Sequence, residues 1–119
     1  MSARSAVERA VDLYFEGING NNAAVIPFTE DVVFTGPMLP ESKTGEAAVC
    51  QHIEEIAPFI ARMERNPAVI EGENAAVTLE FESVNGVVIE GAYFFRIREG
   101  RISSIQGFFD TQSLIKGSQ

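Results

Sequence analysis

Two glutamates and two tyrosines are the residues of this sequence best suited to chemistry. Glu80 and Glu82 alternate with apolar residues in a strand-like segment, so both carboxylates are expected on one face. A carboxylate inside an apolar pocket has a raised pKa, which suits a general acid or base near neutral pH. Tyr14 and Tyr93 would add phenol hydroxyls that donate hydrogen bonds to a carbonyl or enolate. The alternative is that both glutamates face solvent.

The single histidine, His52, flanks the apolar stripe of a predicted helix. We interpret it as a partly exposed helical residue, with catalysis as the alternative. Because there is no second histidine and Cys50 is the only cysteine, we expect no bound metal and no intramolecular disulfide.

The bulk composition excludes several classes of partner. With 17 acidic and 9 basic residues the formal charge is −8, which argues against nucleic acid and against an anionic membrane surface. No apolar run approaches a membrane span, and the N-terminus does not resemble a signal peptide. We expect a cytoplasmic protein whose residues 1–119 form one domain.

The first segment predicts an amphipathic helix that ends at the polar run "NGNN". Tyr14 lies near the centre of its apolar stripe, so the ring is expected inside the fold. The stripe consists of Val7, Ala10, Val11, Tyr14, Phe15 and Ile18.

A second long helix is predicted to begin near Glu46. Pro58 lies inside it, so we expect a kink near Ala57 or a boundary between two helices. Between the two long helices the sequence predicts a short helix capped by Asn22, a strand "DVVFT" and a loop "GPMLPESKTG". The stripe of the second long helix consists of Val49, Ile53, Ile56, Ile60 and Met63.

After Pro67 the apolar period changes to two, which predicts four successive strands. They are "AVIEGE", "AAVTLEFESV", "VVIEGAYFFRIR" and "RISSIQGFFD". Helices followed by an antiparallel meander indicate an α+β fold with helices on one face of the sheet.

The turns determine which side chains share a face. A two-residue turn at Asn85–Gly86 predicts that Glu82 lies opposite Ile89, Glu80 opposite Gly91 and Thr78 opposite Tyr93. This register directs the glutamates toward the helices.

A three-residue turn, Arg98 to Gly100, is predicted for the next hairpin because glutamate disfavours a positive φ. Asp110 then points away from the helices. The helix-facing set becomes Ile89, Tyr93, Phe95, Ile97, Ile105 and Phe109, and the opposite set Glu90, Ala92, Phe94, Arg96, Ile102, Gln106, Phe108 and Asp110.

The apolar residues Val77, Leu79 and Phe81 conflict with this register. Either a bulge near Asn85 returns them to the core, or they cover an outer face that pairs with a second subunit. The second interpretation is slightly favoured, and it predicts a homodimer through Leu79, Phe81, Phe94 and Phe108.

The order of three segments resembles the nuclear transport factor 2-like superfamily, in its SnoaL-like and ketosteroid-isomerase-like branch. The segments are "VDLYFEGINGNN", "FTEDVVFTGPMLPESKTGEAAV" and "FFRIREGRISSIQGFFD". The resemblance implies a cone in which a strongly curved antiparallel sheet wraps the N-terminal helices around a deep apolar pocket.

Within that branch the nearest functional resemblance is to limonene epoxide hydrolase, but the catalytic set is not retained. Its water-positioning tyrosine and asparagine fall on Phe34 and Gly36, and its paired acids fall on Glu80 and Gly107. The ketosteroid isomerase base also falls on Gly36, whereas its tyrosine falls near Tyr14.

The resemblance implies a cofactor-independent isomerase, cyclase, dehydratase or hydrolase acting on a small lipophilic molecule. The alternative is a non-catalytic small-molecule-binding or dimeric interaction domain. Glu80, Tyr14 and Tyr93 are the candidate catalytic residues. The expected pocket residues are Ile18, Phe34, Met38, Val49, His52, Ile53, Ile56, Phe59, Met63, Glu82, Phe95, Ile105 and Phe109.

Overall fold

The computed structural model describes residues 3–36, 39 and 41–110. Single 3₁₀ turns at Ala23–Val25 and Ala57–Phe59 accompany two helices and seven strands. The helices are α1 (Ala3–Asn19) and α2 (Glu46–Ile56), and the strands are β1 (Phe28–Thr35), β2 (Lys43–Thr44), β3 (Ile60–Arg65), β4 (Val69–Glu71), β5 (Asn74–Ser83), β6 (Val88–Arg98) and β7 (Arg101–Phe109).

The strands form one curved, open sheet in the order β2-β1-β7-β6-β5-β3, with β4 also pairing to β5. The predicted α+β fold is confirmed, with one addition: β1 and β7 are parallel, so the sheet is mixed. A parallel pair needs a long crossover. Here the crossover comprises the whole segment between β1 and β7. Local sequence patterns therefore do not predict the parallel pairing of these two strands.

Helix α1 packs its apolar stripe against the sheet, as predicted. All six stripe residues are buried, and Tyr14 is 0% exposed. At the end of the helix the amide N–H of Gly20 donates to the Glu16 carbonyl at 2.9 Å. Helix α1 therefore provides one wall of the interior.

The second helix is shorter than predicted. It ends at Ile56, Pro58 lies in the 3₁₀ turn, and the chain continues as β3, so Ile60 and Met63 belong to a strand. The Asn19 side chain donates to the Met63 carbonyl at 3.0 Å and accepts from the Met63 N–H at 2.9 Å. These tertiary bonds, with pairing to β5, outweigh the helical spacing of the sequence.

Two smaller expectations also change. The short helix after Asn22 is one 3₁₀ turn, and the Asn22 side chain makes no capping hydrogen bond. The predicted loop before α2 contains β2, which pairs with Val33 and Phe34 of β1.

The predicted register of β5 against β6 is wrong by one residue. Leu79 lies opposite Gly91, and Val77 lies opposite Tyr93. Gly86 has a φ of 84°, and its N–H donates to the Ser83 carbonyl at 2.9 Å. The turn therefore has three residues with a bulge at the glycine. The core-facing interpretation of Val77, Leu79 and Phe81 is the correct one.

The hairpin between β6 and β7 has the two-residue turn that the sequence disfavoured. Glu99 and Gly100 have φ values of 52° and 77°. Beyond the turn, the pairing of β6 with β7 shifts by one residue. Ile97 pairs with Ile102, whereas Arg96 pairs with Ser104.

The shorter turn and the register shift together displace the pairing of β6 with β7 by two residues, so the predicted faces of both strands are kept. On β7, Ile102 is the exception: the bulge turns it inward, where it is 0% exposed. Asp110 is exposed, in agreement with its predicted outward direction, and its backbone N–H donates to the Glu90 carbonyl at 3.1 Å.

Of the described helices, neither is long and apolar enough to cross a membrane.

Candidate functional site

A pair of tyrosines lies at the centre of the interior. Tyr14 comes from the middle of α1 and Tyr93 from the middle of β6, and their rings meet edge to face with centroids 5.2 Å apart. Both are buried, at 0% and 2% exposure. Two catalytic candidates from the sequence are thus brought together.

The Tyr14 hydroxyl is buried and makes no well-formed hydrogen bond to any described residue. It is nevertheless close enough to the Tyr93 hydroxyl for each to affect the other's pKa. Burial raises the pKa of Tyr14 well above its ordinary value, and the nearby Tyr93 raises it further. Burial raises the pKa of Tyr93 to about 12, although the Tyr14 hydroxyl acts in the opposite direction. Both phenols therefore remain protonated donors at neutral pH.

Aromatic rings surround the tyrosine pair. Phe95 lies 5.2 Å from Tyr14 and 5.6 Å from Tyr93 between centroids, and Phe109 lies 5.3 Å from Tyr93. Phe15 contacts Tyr14 at 5.4 Å. The hydroxyls thus lie in apolar surroundings, where an electrostatic interaction is stronger than in water.

Two strand glycines make room for these rings. A Cβ on Gly91 would lie 2.3 Å from the Phe109 ring, and one on Gly107 would lie 3.0 Å from the same ring. Neither glycine is predicted from the sequence to have this role, and Phe15 is not among the predicted pocket residues. Glycine inside a strand is a usable signal, because it often marks a close approach of another group.

His52 lies at the edge of the cluster, and its ring centroid is 5.0 Å from that of Phe34. Partial burial lowers its pKa, the positive charge of Lys43 lowers it further, and Glu55 acts in the opposite direction. The imidazole is therefore neutral at pH 7. Since Phe34 also lies 6.4 Å from Tyr93, His52 is one ring removed from the phenols.

The predicted acids do not enter the interior. The corrected register places Glu80 opposite Glu90 and Glu82 opposite Val88, on the outer face. Arg62 of β3 approaches both carboxylates, at 3.6 Å and 3.1 Å. The Glu80 side chain is 41% exposed and borders an open surface cleft of about 540 Å³.

The remaining predicted pocket residues differ in their burial. Phe59 is 66% exposed, so it lies outside the interior, because the turn at Pro58 rotates it away from the α2 stripe. Met38 lies outside the described residues. Ile56 and Phe109 are half-buried, and the buried residues are Ile18, Phe34, Val49, Ile53, Met63, Phe95 and Ile105.

In the part of the chain that the structure describes, no group of three histidine, cysteine, aspartate or glutamate side chains is arranged to hold a metal ion. The polar groups that the structure places in or beside the ring cluster include the phenols of Tyr14 and Tyr93 and, next to Phe34, the imidazole of His52.

The curved mixed sheet with α1 in its interior defines a nuclear transport factor 2-like fold. Residues 11–105 match the family model of the SnoaL-like domain, and the chain belongs to that family. No curated protein matches the sequence significantly.

Several solved structures share the fold. A candidate isomerase from Rhodopseudomonas palustris has a TM-score of 0.78 at 19% identity over 95% of each chain. A candidate ketosteroid isomerase from Kribbella flavida DSM 17836 has a TM-score of 0.78 at 20% identity, over 89% of this chain and 78% of that one. A candidate SnoaL-like polyketide cyclase from Jannaschia sp. CCS1 has a TM-score of 0.81 at 14% identity, over 95% and 91%. At these identities the similarity shows the fold alone.

Proposed function

We propose that the protein is a cofactor-independent enzyme of the isomerase, cyclase, dehydratase or hydrolase type, acting on a small lipophilic molecule that contacts Tyr14 and Tyr93. The supporting observation is the buried Tyr14 hydroxyl, which makes no well-formed hydrogen bond to a described residue and has the Tyr93 hydroxyl as its polar neighbour. An unpaired buried hydroxyl costs about 1–3 kcal/mol, and phenylalanine would fill nearly the same space without that cost. An oxygen atom of a bound ligand would pair with the hydroxyl.

In this proposal the phenols stabilise negative charge on the ligand. Because burial raises both pKa values, each hydroxyl keeps its proton and donates a hydrogen bond to a ligand carbonyl. As the carbonyl becomes an enolate, its oxygen gains charge and the hydrogen bonds strengthen. Donors of this kind contribute about 10²–10³-fold to kcat when they are held in place before reaction. In the ligand-free protein the contacts between Tyr14, Tyr93 and Phe95 already restrict the orientation of the phenol rings.

His52 is the group we assign to proton transfer. It is neutral at pH 7, since its pKa is lowered, and it contacts the cluster through Phe34. A neutral imidazole can accept a proton from a ligand carbon next to the carbonyl and return it elsewhere. Substrate and reaction would then be defined by which carbon lies nearest to His52.

The test is turnover of a panel of small lipophilic enones and 1,3-diketones by wild type, Tyr14→Phe and Tyr93→Phe. We expect each tyrosine variant to lose about 10²–10³-fold in kcat. Thr29→Val is the matched control, because Thr29 is also buried but lies outside the ring cluster. Unchanged turnover in both tyrosine variants would contradict the assignment.

A second candidate function is non-catalytic binding of the same kind of ligand. It is favoured by the position of Glu80 and Glu82 on the outer face, which leaves the described interior without a carboxylate. A binding protein would be stabilised by the ligand without converting it. Thermal unfolding with and without a panel compound, followed by mass spectrometry of the recovered compound, separates the two functions.

A further inference from the structure

A lysine lies beside the candidate site, on the short strand β2. Lys43 pairs directly with Phe34 of β1, and residues in directly opposite positions share one face of a sheet. Phe34 is 4% exposed, so this is the inner face. The next pair, Val33 with Thr44, belongs to the outer face, and Thr44 is exposed. The side chain of Lys43 therefore starts from the same side of the sheet as the tyrosine pair.

Phe34 connects this lysine to the groups of the proposed site. Its ring centroid lies 5.0 Å from that of His52 and 6.4 Å from that of Tyr93. The positive charge of Lys43 is close enough to His52 to lower the pKa of the imidazole. Phe34 therefore has an ammonium group, an imidazole and a phenol among its neighbours.

The charge of Lys43 has no counterpart in the described part of the chain. The side chain is half-buried, and it forms no ion pair with a described residue. A charged group that is partly withdrawn from water is usually paired with an opposite charge. The other half-buried cations among the described residues, Arg62 and Arg65, both form ion pairs with carboxylates. Of the half-buried cations that the structure describes, only Lys43 thus lacks an anion.

We propose that Lys43 binds a carboxylate of the ligand, so that the substrate is a lipophilic oxo acid and not a neutral ketone. The carbonyl oxygen accepts hydrogen bonds from Tyr14 and Tyr93, and the apolar body of the ligand lies against Phe34. A single ammonium balances one negative charge, which a carboxylate carries, whereas a phosphate monoester carries nearly two. The inference rests on the proposed function, because the two tyrosines define where the carbonyl lies.

The overall charge of the protein makes this preference a sharp one to measure. The chain has a formal charge of −8, which repels an anionic ligand. A neutral ester of the same acid is not repelled. Tighter binding of the acid than of its ester therefore requires a local cation at the site.

The test uses ω-benzoylalkanoic acids of increasing chain length, each paired with its methyl ester, in calorimetric titrations at neutral pH. Wild type should bind the best acid at least about tenfold more tightly than its ester. Lys43→Met keeps the length of the side chain without its charge and should abolish the preference, whereas Lys43→Arg should keep it. Arg9→Gln is the matched control, because it removes a positive charge from the exposed side of α1 and should leave the preference unchanged.

The readouts separate this inference from the proposed function. The ratio of acid to ester affinity reports on Lys43, whereas the affinity of the ester for Tyr14→Phe and Tyr93→Phe reports on the tyrosine pair. If the ratio depends on Lys43 but both tyrosine variants bind the ester as wild type does, the carboxylate site stands and the proposed function fails.

Three results would overturn the inference about Lys43. They are a wild type that binds none of the acids at millimolar concentration, equal affinities for acid and ester, and a preference for the acid that persists in Lys43→Met. Thermal unfolding of each variant checks that the substitution leaves the fold intact, and the charge-retaining Lys43→Arg shows that a lost preference is due to the charge.

Discussion

The ring of Tyr14 meets the ring of Tyr93 edge to face at 5.2 Å, which joins the middle of α1 to the middle of β6. This contact places two hydroxyl groups inside an aromatic enclosure. Substitutions that remove a hydroxyl but keep its ring separate the structural role of these residues from a role in chemistry.

Tyr14→Phe should leave the free energy of unfolding unchanged or raise it by about 1 kcal/mol. The substitution removes a buried hydroxyl that lacks a well-formed hydrogen bond and keeps the ring contacts. Chemical denaturation of wild type and variant measures the difference. A loss of more than about 1 kcal/mol would mean that the hydroxyl is already satisfied in the ligand-free protein.

Gly91→Ala should destabilise the fold by about 1–3 kcal/mol. The added Cβ would lie 2.3 Å from the Phe109 ring and 2.5 Å from the Phe108 carbonyl oxygen, so ring and strand would have to move. Gly36→Ala is the control, because its Cβ would lie 3.7 Å from the nearest atom, a ring carbon of Phe34. Equal effects of the two substitutions in urea unfolding would contradict the close approach of Phe109.

His52 should make the protein less stable as the pH falls below about 6.5, the ordinary histidine pKa. The pKa of His52 is lowered in the folded state, so as the pH falls the unfolded chain binds the proton at a higher pH than the folded protein does. The free energy of unfolding therefore decreases from about pH 6.5 down to the pKa of the folded protein. His52→Gln should therefore show a smaller loss between pH 7.5 and pH 5.5 in denaturant titrations. The same loss in both proteins would show that His52 is not the group responsible.

Glu80→Gln should change the free energy of unfolding by less than about 0.5 kcal/mol, since exposed ion pairs contribute little. It removes the approach to Arg62 but also one of three neighbouring negative charges. Ligand binding, measured by calorimetry with a compound that stabilises the wild type, should persist in Glu80→Gln and weaken in Tyr93→Phe. If binding weakened in Glu80→Gln and persisted in Tyr93→Phe, the Glu80 carboxylate would belong to the ligand site and the Tyr93 hydroxyl would not.

The parts of the fold that local patterns describe were predictable. The helical stripe of α1 has one possible partner, an apolar sheet face, and the alternation along β6 assigns Tyr93 and Phe95 to that face. The position of Tyr14 within the stripe follows from the same spacing. These features depend on the 3.6-residue and two-residue periods, which are properties of the chain itself.

The candidate site was only half predictable. Tyr14 and Tyr93 were identified correctly as interior residues, but Glu80 and Glu82 were assigned to the wrong face. The Asn85–Gly86 pair predicts a two-residue turn, whereas Val84, Asn85 and Gly86 form the connection. A single residue in a turn reverses every side chain of a strand.

By itself the sequence determined the α+β class, the buried face of α1, the inward face of β6 and the family to which the chain belongs. Only the tertiary structure decided the register of β5, the change from helix to strand after Pro58 and the parallel pairing of β1 with β7. The buried face of a helix or strand follows from the spacing of apolar residues within that one segment. Register and strand order depend on contacts between distant segments of the chain. A turn that is one residue longer or shorter differs little in its own local energy, yet it determines which carboxylates reach solvent.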